Sequence, residues 1–134
     1  MDLTFKASGI LERGKGLTFD DVLLVPRYSE VSSRKYPSLK TKITKNFSID
    51  VPIITANMDT ITETDMAVAM AKLGGLGSLH RFMDTKQQIV MVNDIIKVQK
   101  EFNINKPIAA SIGVKAAGFE RACALVDAGV QILT

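Results

Sequence analysis

The sequence predicts an α/β protein built on a parallel sheet, namely the N-terminal half of a (β/α)8 TIM barrel. From residue 51 onward, short apolar runs alternate with longer segments of helical period, which is typical of βα units. The apolar runs are continuous, as expected for strands that are covered on both faces. Residues 51–134 hold about three and a half such units, and a whole barrel has roughly 250 residues.

Residues 1–50 have a different pattern and are predicted to form an N-terminal arm and a β-hairpin. Leu39, Thr41 and Ile43 alternate with lysines, as in a half-exposed strand. A second short strand after a turn completes the hairpin. We therefore divide the chain into residues 1–50, the arm and hairpin, and residues 51–134, the first half of a barrel.

The first βα unit begins with a predicted buried strand at residues 51–56, with its proline near the start, where proline is tolerated. Thr62 and Asp65 are spaced as a helix N-cap, and Gly74 ends the helix. The predicted apolar face of this helix comprises Met66, Met70 and Leu73.

The second unit has a short strand at residues 76–79 and a helix capped by Asp84 with Gln87. The apolar stripe of that helix comprises Met91, Val92, Ile95, Ile96, Val98 and Phe102. A third strand at residues 107–113, a helix closed by Gly129 and the start of a fourth strand follow. Since open parallel edges recruit other strands, we expect the rest of the barrel to be supplied beyond Thr134. An open four-stranded sandwich is the alternative.

The composition, with 46% hydrophobic and 23% charged residues, is that of an ordinary globular protein. The net charge of +3 lacks the clustered basic face that binding to nucleic acid requires. The basic run between Glu30 and Asp50 is interpreted as a solvated hairpin face, with a polyanion site as the alternative. Without a signal peptide or an apolar span, we expect a cytoplasmic protein with no membrane partner. The lone Cys123 is predicted to be a small packing residue.

Polar residues follow the predicted strands, at the barrel end where chemistry takes place. Asn57 and Asp59 could bind a heterocycle or a ribose, or could simply cap the turn. His80 is the only histidine, and the spacing shows no second ligand, so no metal site is predicted. It is either a structural residue or, with Arg81 beside it, part of a site for phosphate or carboxylate.

Several motifs together resemble the IMP dehydrogenase and GMP reductase family in order and spacing. They are GLTFDDVLLVP at residues 16–26, YSEV at residues 28–31, ANMDT at residues 56–60 and GGLGSLHR at residues 74–81. The resemblance covers nearly the whole chain after the first dozen residues. It implies a (β/α)8 barrel that binds a purine nucleotide, GMP or IMP, and a nicotinamide cofactor at its mouth, normally as a homotetramer.

The resemblance leaves two reactions to separate. One branch of the family oxidises IMP to XMP with NAD, and the other reduces GMP to IMP and ammonia with NADPH. Asn57 and the missing CBS insertion between residues 100 and 107 favour the NADPH-dependent GMP reductase. Thr62 and Glu63 resemble dehydrogenases, so an NAD-dependent IMP dehydrogenase without the CBS module is the alternative. A non-catalytic half-barrel that binds a partner is a third hypothesis, of a different class.

The family's site residues transfer to matching positions only. The nucleotide site would comprise Asn57, Met58 and Asp59, with Met58 against the base. The cofactor site would comprise Ser33, Arg34, His80, Arg81 and Ser111. The family's catalytic cysteine loop has no counterpart in these residues, so we expect no catalytic residue here and no activity from this polypeptide alone.

Overall fold

A computed structural model describes residues 18–134. The chain divides into two compact units, Met1–Pro37 and Ser38–Thr134. In the first unit, a 3-10 helix at Phe19–Asp21 is capped by Thr18, whose backbone N–H donates to the Asp21 carboxylate at 2.8 Å. Hydrogen bonds from the backbone and side chain of Thr18 hold the pKa of Asp21 below its usual value. Most of the predicted arm lies outside the described residues, and the predicted division after residue 50 stays a prediction.

The unit Ser38–Thr134 contains a hairpin followed by alternating strands and helices. In chain order its elements are β1 (Thr41–Lys42), β2 (Ser48–Ile49), α1 (Thr64–Leu73), β3 (Ser78–Leu79), α2 (Thr85–Glu101), β4 (Ala109–Ala110), α3 (Ala116–Asp127) and β5 (Ile132–Leu133). β1 and β2 are antiparallel, which confirms the predicted hairpin. β3, β4 and β5 form a parallel sheet in that order.

The order of the parallel strands follows the order of the chain. A parallel bridge between Ile54 and Leu76 places the preceding segment beside β3, so four successive segments are neighbours. A doubly wound sheet reverses its strand order at a switch point, whereas a barrel does not. The α/β class is therefore confirmed, and closure into a barrel stays a prediction.

The predicted first strand is wrong in length and in burial. Residues 51–56 form a single bridge, from Ile54 to Leu76 just before β3, and Ile53 and Ile54 are 56% and 53% exposed. This segment lies at the edge of the described sheet, so only one of its sides has a strand neighbour. A continuous apolar run indicates burial without showing which elements provide the cover.

Helix α1 packs through small residues, and its predicted apolar face is wrong. Ala67 and Ala71 are buried, whereas Met66 and Leu73 are exposed, and of the predicted face only Met70 is half-buried. The helix lies so close to β3 that a Cβ on Gly77 would be 2.5 Å from the Ala67 Cα. A close approach of this kind admits only alanine and glycine at the contact.

The predicted cap of α1 is also wrong. The N-cap residue is Glu63, which makes no capping hydrogen bond through its side chain. The Thr62 hydroxyl instead donates to the Ala56 carbonyl at 2.6 Å and ties the preceding loop together. Gly74 ends the helix with φ 85°, as predicted.

Helix α2 has the predicted capping box, since Gln87 N–H donates to Asp84 at 2.7 Å and Asp84 N–H donates back to the Gln87 side chain. Its buried face is rotated from the predicted stripe and comprises Gln88, Val92, Ile95 and Gln99. Phe102, predicted to be buried, is exposed, with the Lys72 ammonium 4.0 Å from its ring centroid. In α3, Gly129 terminates the helix with φ 108°, as predicted, but Cys123 is exposed and is not a packing residue.

The hairpin covers one end of the parallel sheet. Ile49 of β2 is fully buried against Leu76, Ala109 and Ile132, which lie near the amino ends of the three strands. The opposite, carboxyl end of the sheet is the end where α/β proteins bind ligands. Among the described residues, no helix has the length and apolar character needed to cross a bilayer.

We expect Gly118→Ala to destabilise the protein, because a Cβ at Gly118 would overlap the Gly113 carbonyl, which is backbone and cannot turn aside. Overpacking of this kind costs about 1–3 kcal/mol of the free energy of unfolding. Gly113→Ala is the matched control, since its Cβ would be 3.6 Å from the Arg81 guanidinium, an ordinary contact. Urea denaturation of both variants checks this, and equal losses would contradict it.

A pH dependence follows from Asp50, which pairs with Lys106. The hydrogen bond and charge of Lys106 hold the pKa of the Asp50 carboxyl below its usual value. The pair therefore stabilises the fold above the unfolded pKa of about 3.9, and this contribution is lost as the pH falls through the lower folded pKa. We expect Lys106→Met to lower the free energy of unfolding at pH 7. The difference in that free energy between the variant and the unmodified protein should shrink as the pH falls through the lower folded pKa of Asp50. A difference independent of pH in denaturation titrations would contradict the assignment.

Candidate functional site

Hydroxyl groups from the three parallel strands meet at the carboxyl end of the sheet. Ser111 Oγ lies 2.6 Å from Thr134 Oγ1, and Ser78 Oγ lies 2.9 Å from the same atom. Side chains alternate between faces along a strand, so these residues lie on the same face as the apolar layer two positions earlier. The inner face thus changes from apolar at the hairpin end to hydroxyl-bearing at the carboxyl end.

Asn57 is tied to this hydroxyl cluster. Its Nδ2 donates to Ser111 Oγ at 2.6 Å, which orients an amide that is otherwise exposed. Ser111 itself is 2% exposed. The structure therefore brings Asn57, predicted for the nucleotide, into contact with Ser111, predicted for the cofactor. Met58, the next residue, is exposed.

His80 is buried and faces two carboxylates. It is 2% exposed, and its Nε2 lies 3.6 Å from Asp59 Oδ1 and 3.5 Å from Glu63 Oε1. Its Nδ1 accepts a hydrogen bond from the Phe82 N–H at 3.2 Å, which assigns the proton of the neutral ring to Nε2. Within the described part of the chain, Nε2 has no hydrogen-bond partner. A buried donor without a partner costs about 1–3 kcal/mol.

Glu63 is a residue that the sequence analysis did not place at the site. A tight turn, in which the Ile61 and Thr62 N–H groups donate to the Met58 carbonyl, returns the chain toward β3. Glu63 then lies beside Asp59 at the start of α1. The four-residue spacing of Asp59 and Glu63 was the only sequence signal for their proximity. It predicts that proximity only when the turn between them is known.

Gln88 and Arg121 brace the ends of β3 and β4. The fully buried Gln88 amide donates to the carbonyls of His80 and Ser111, both at 3.0 Å. Its oxygen accepts from Arg121 Nη1 at 3.0 Å, and Arg121 Nη2 donates to the Met83 carbonyl at 2.8 Å. Gln88 was missed because a glutamine beside an apolar helix stripe looks like an interruption of the stripe. No sequence pattern marked Arg121.

Arg81 points to a different surface from the hydroxyl cluster. It lines an open groove of about 640 Å³ together with Gly113, Lys115 and Arg121. The residues predicted to bind the cofactor therefore do not lie together in one site. His80 faces Asp59, Ser111 contacts Asn57, and Arg81 lies beside the start of α3.

Ser33 and Arg34 belong to the unit Met1–Pro37. The Ser33 carbonyl accepts from the Tyr36 N–H at 3.1 Å, so both residues lie in a turn. Their assignment to the cofactor stays a prediction.

An α/β protein with a polar cluster at the carboxyl ends of parallel strands belongs to the class whose enzymes bind ligands at that end of the sheet. The family described as "IMP dehydrogenase / GMP reductase domain" matches residues 16–134. The chain belongs to this family, as the sequence motifs predicted.

Relatives with both family names are similar to this chain. It is 48% identical over 94 residues to inosine-5'-monophosphate dehydrogenase of Nitrosopumilus maritimus, covering 70% of this chain and 19% of that protein. It is 56% identical over 86 residues to the same enzyme of Cryptosporidium parvum, covering 64% of this chain and 20% of the relative. It is 44% identical over 93 residues to GMP reductase of Leishmania donovani, covering 69% of this chain and 19% of that protein. The chain spans about a fifth of the length of these relatives.

We expect Gln88→Leu to lower the free energy of unfolding by about 2–4 kcal/mol, since each buried polar group left without a partner costs about 1–3 kcal/mol. The change removes both donors to the β3 and β4 carbonyls and the acceptor of Arg121. Gln99→Leu is the control, because Gln99 lies on the buried face of the same helix but makes no side-chain hydrogen bond among the described residues. Guanidinium denaturation compares the two, and similar losses would show that the brace contributes little.

Proposed function

We propose that the complete protein transfers hydride between a nicotinamide cofactor and the purine ring of GMP or IMP, and that its reaction is the NADPH-dependent reductive deamination of GMP. The observation that carries the reductase assignment is Asn57, which matches the reductase form of the motif after the first strand. Its amide is held by Ser111 at the carboxyl end of the sheet. An oriented amide offers donors and an acceptor to a purine edge.

The neighbouring residues support a nucleotide at this position. Met58 is exposed directly after Asn57 and can lie against a base. The exposed Asp59 carboxylate can accept hydrogen bonds from sugar hydroxyls. The hydroxyl cluster of Ser78, Ser111 and Thr134 provides a fixed polar floor beside the amide.

The residues around Arg81 fit the phosphates of a dinucleotide. Arg81 and Lys115 line one groove, and guanidinium and ammonium groups bind phosphate oxygens through charge-assisted hydrogen bonds. When bound, the cofactor supplies the hydride, and the protein orients it against the purine. We further propose, from the resemblance, that Ser33 and Arg34 contact the cofactor and that the enzyme is a cytoplasmic homotetramer.

Oxidation of IMP with NAD is the second candidate. The relatives named inosine-5'-monophosphate dehydrogenase include the Cryptosporidium parvum protein at 56% identity, whereas the GMP reductase of Leishmania donovani is 44% identical. Glu63 also matches the dehydrogenase form of the motif, and its carboxylate reaches toward His80.

Paired assays of the complete protein test the proposal. We expect consumption of NADPH with GMP and release of ammonia and IMP. Formation of XMP from IMP and NAD, without turnover of GMP, would replace the reductase by the dehydrogenase. Absence of both reactions in a folded, nucleotide-binding protein would support a binding role instead.

We expect Asn57→Ala to raise the KM for the nucleotide roughly tenfold, because an amide hydrogen bond contributes about 0.5–1.5 kcal/mol and tenfold corresponds to about 1.4 kcal/mol. Asn93→Ala on the exposed face of α2 is the matched control and should leave KM unchanged. Steady-state kinetics with varied nucleotide measures both variants. An unchanged KM in Asn57→Ala would remove Asn57 from the nucleotide site.

A further inference from the structure

We propose that Asp59, Glu63 and His80 form a binding site for one divalent transition-metal ion, for which Zn²⁺ is the natural probe. One ligand atom from each residue lies within 4.8 Å of the others. The set combines one imidazole with two carboxylates, which are ligands that zinc and its neighbours in the first transition row accept. The proposal does not rest on which reaction the complete protein catalyses, although Asp59 is also assigned to the proposed nucleotide site.

The two distances from the His80 imidazole to the carboxylates fit an ion better than a water molecule. The Nε2 atom of His80 lies 3.6 Å from Asp59 Oδ1 and 3.5 Å from Glu63 Oε1. Tetrahedral bonds of about 2.0–2.2 Å to zinc hold ligand atoms roughly 3.4 Å apart. A water that makes hydrogen bonds of about 2.8 Å would hold its partners roughly 4.6 Å apart.

The second observation is His80 itself. The side chain is 98% removed from solvent, and its Nε2, directed at the carboxylates, has no hydrogen-bond partner in the described range 18–134. A buried polar atom without a partner is costly, and a site that uses the atom removes that cost. A pair of exposed carboxylates is common on protein surfaces and does not by itself indicate a metal site. The buried imidazole directed at both carboxylates supplies the third ligand.

Binding must displace the proton from Nε2. The Phe82 N–H donates to Nδ1, so the neutral ring carries its proton on Nε2 before the ion binds. A metal ion needs that lone pair, so the proton leaves Nε2 and Nδ1 takes one up from solvent, and the ring stays neutral. The Phe82 hydrogen bond is then lost. This loss is small compared with the formation of three metal–ligand bonds.

The surroundings favour a cation and leave part of its coordination open. The groove that contains the three ligands is also lined by Asp94, and none of its lining residues in the described chain is a lysine or arginine. The Asp59 and Glu63 side chains are 62% and 51% exposed. An ion held by them would keep a position for water or another ligand, as open zinc sites do.

The test is equilibrium binding of Zn²⁺ to the complete protein, measured by competition with a chromophoric chelator. A Cys123→Ser background removes the exposed thiol as a competing ligand. We expect saturable binding that Glu63→Gln and Asp59→Asn each weaken at least about tenfold. Both residues are exposed, so these variants should fold. Asp94→Asn is the matched control, because it removes a charge from the same groove without removing a ligand.

The variants separate this site from any zinc bound elsewhere, since other sites contribute equally to all of them. Equal weakening in Asp94→Asn and Glu63→Gln would show only general attraction of cations to an acidic groove, and would overturn the proposal. Zinc binding unchanged by both ligand variants would also overturn it. Co²⁺ supplies a second readout, because loss of its tetrahedral visible absorption in Glu63→Gln shows directly that the carboxylate is a ligand.

Discussion

The site depends on one buried amide. Gln88 donates to the carbonyls of His80 and Ser111, which follow adjacent strands, and accepts from Arg121 on the next helix. Carbonyls at the ends of very short strands need donors when they are buried. A single glutamine supplies two of them and so fixes the spacing of the two chain segments from which the polar side chains project. An apolar side chain of the same size would pack there but would leave those groups without partners.

The side chains on the inner face then give the sheet an apolar end, packed against the hairpin, and a carboxyl end that bears hydroxyl groups. Ala109 and Ile132 pack on Ile49 of the hairpin, and two positions later Ser111 and Thr134 present hydroxyl groups. Residues two positions apart lie on the same face of a strand, so the apolar layer is followed on that face by a layer of hydroxyl groups. The change from an apolar residue to Ser or Thr two positions later is therefore enough to place hydroxyl groups at the carboxyl end. No separate structural element is needed for it.

The sequence predicted the elements better than their contacts. The capping box at Asp84, the glycine stops at Gly74 and Gly129 and the hairpin are local features, and they formed as predicted. The predicted cap of α1 at Thr62 did not form. The prediction of the buried face of α1 was wrong because Ala67 packs closely against Gly77. Such a tertiary contact cannot be deduced from the periodicity of apolar residues. The site was predicted by strand position and family motif, whereas its pairing of Asn57 with Ser111 depends on two segments 54 residues apart in sequence.

His80 shows why counting ligand types along a sequence underestimates a site. A lone histidine with no partner at a zinc-like spacing excludes the local motifs, in which both ligands lie on one element. Here the carboxylates come from the turn after one strand-like segment and the imidazole from the end of the next strand. Adjacent parallel segments bring their carboxyl ends within a few ångströms whatever the length of the connecting helix. The relevant spacing is therefore measured across the sheet, where Asp59 Oδ1 lies 3.6 Å from His80 Nε2 although the two residues belong to different segments.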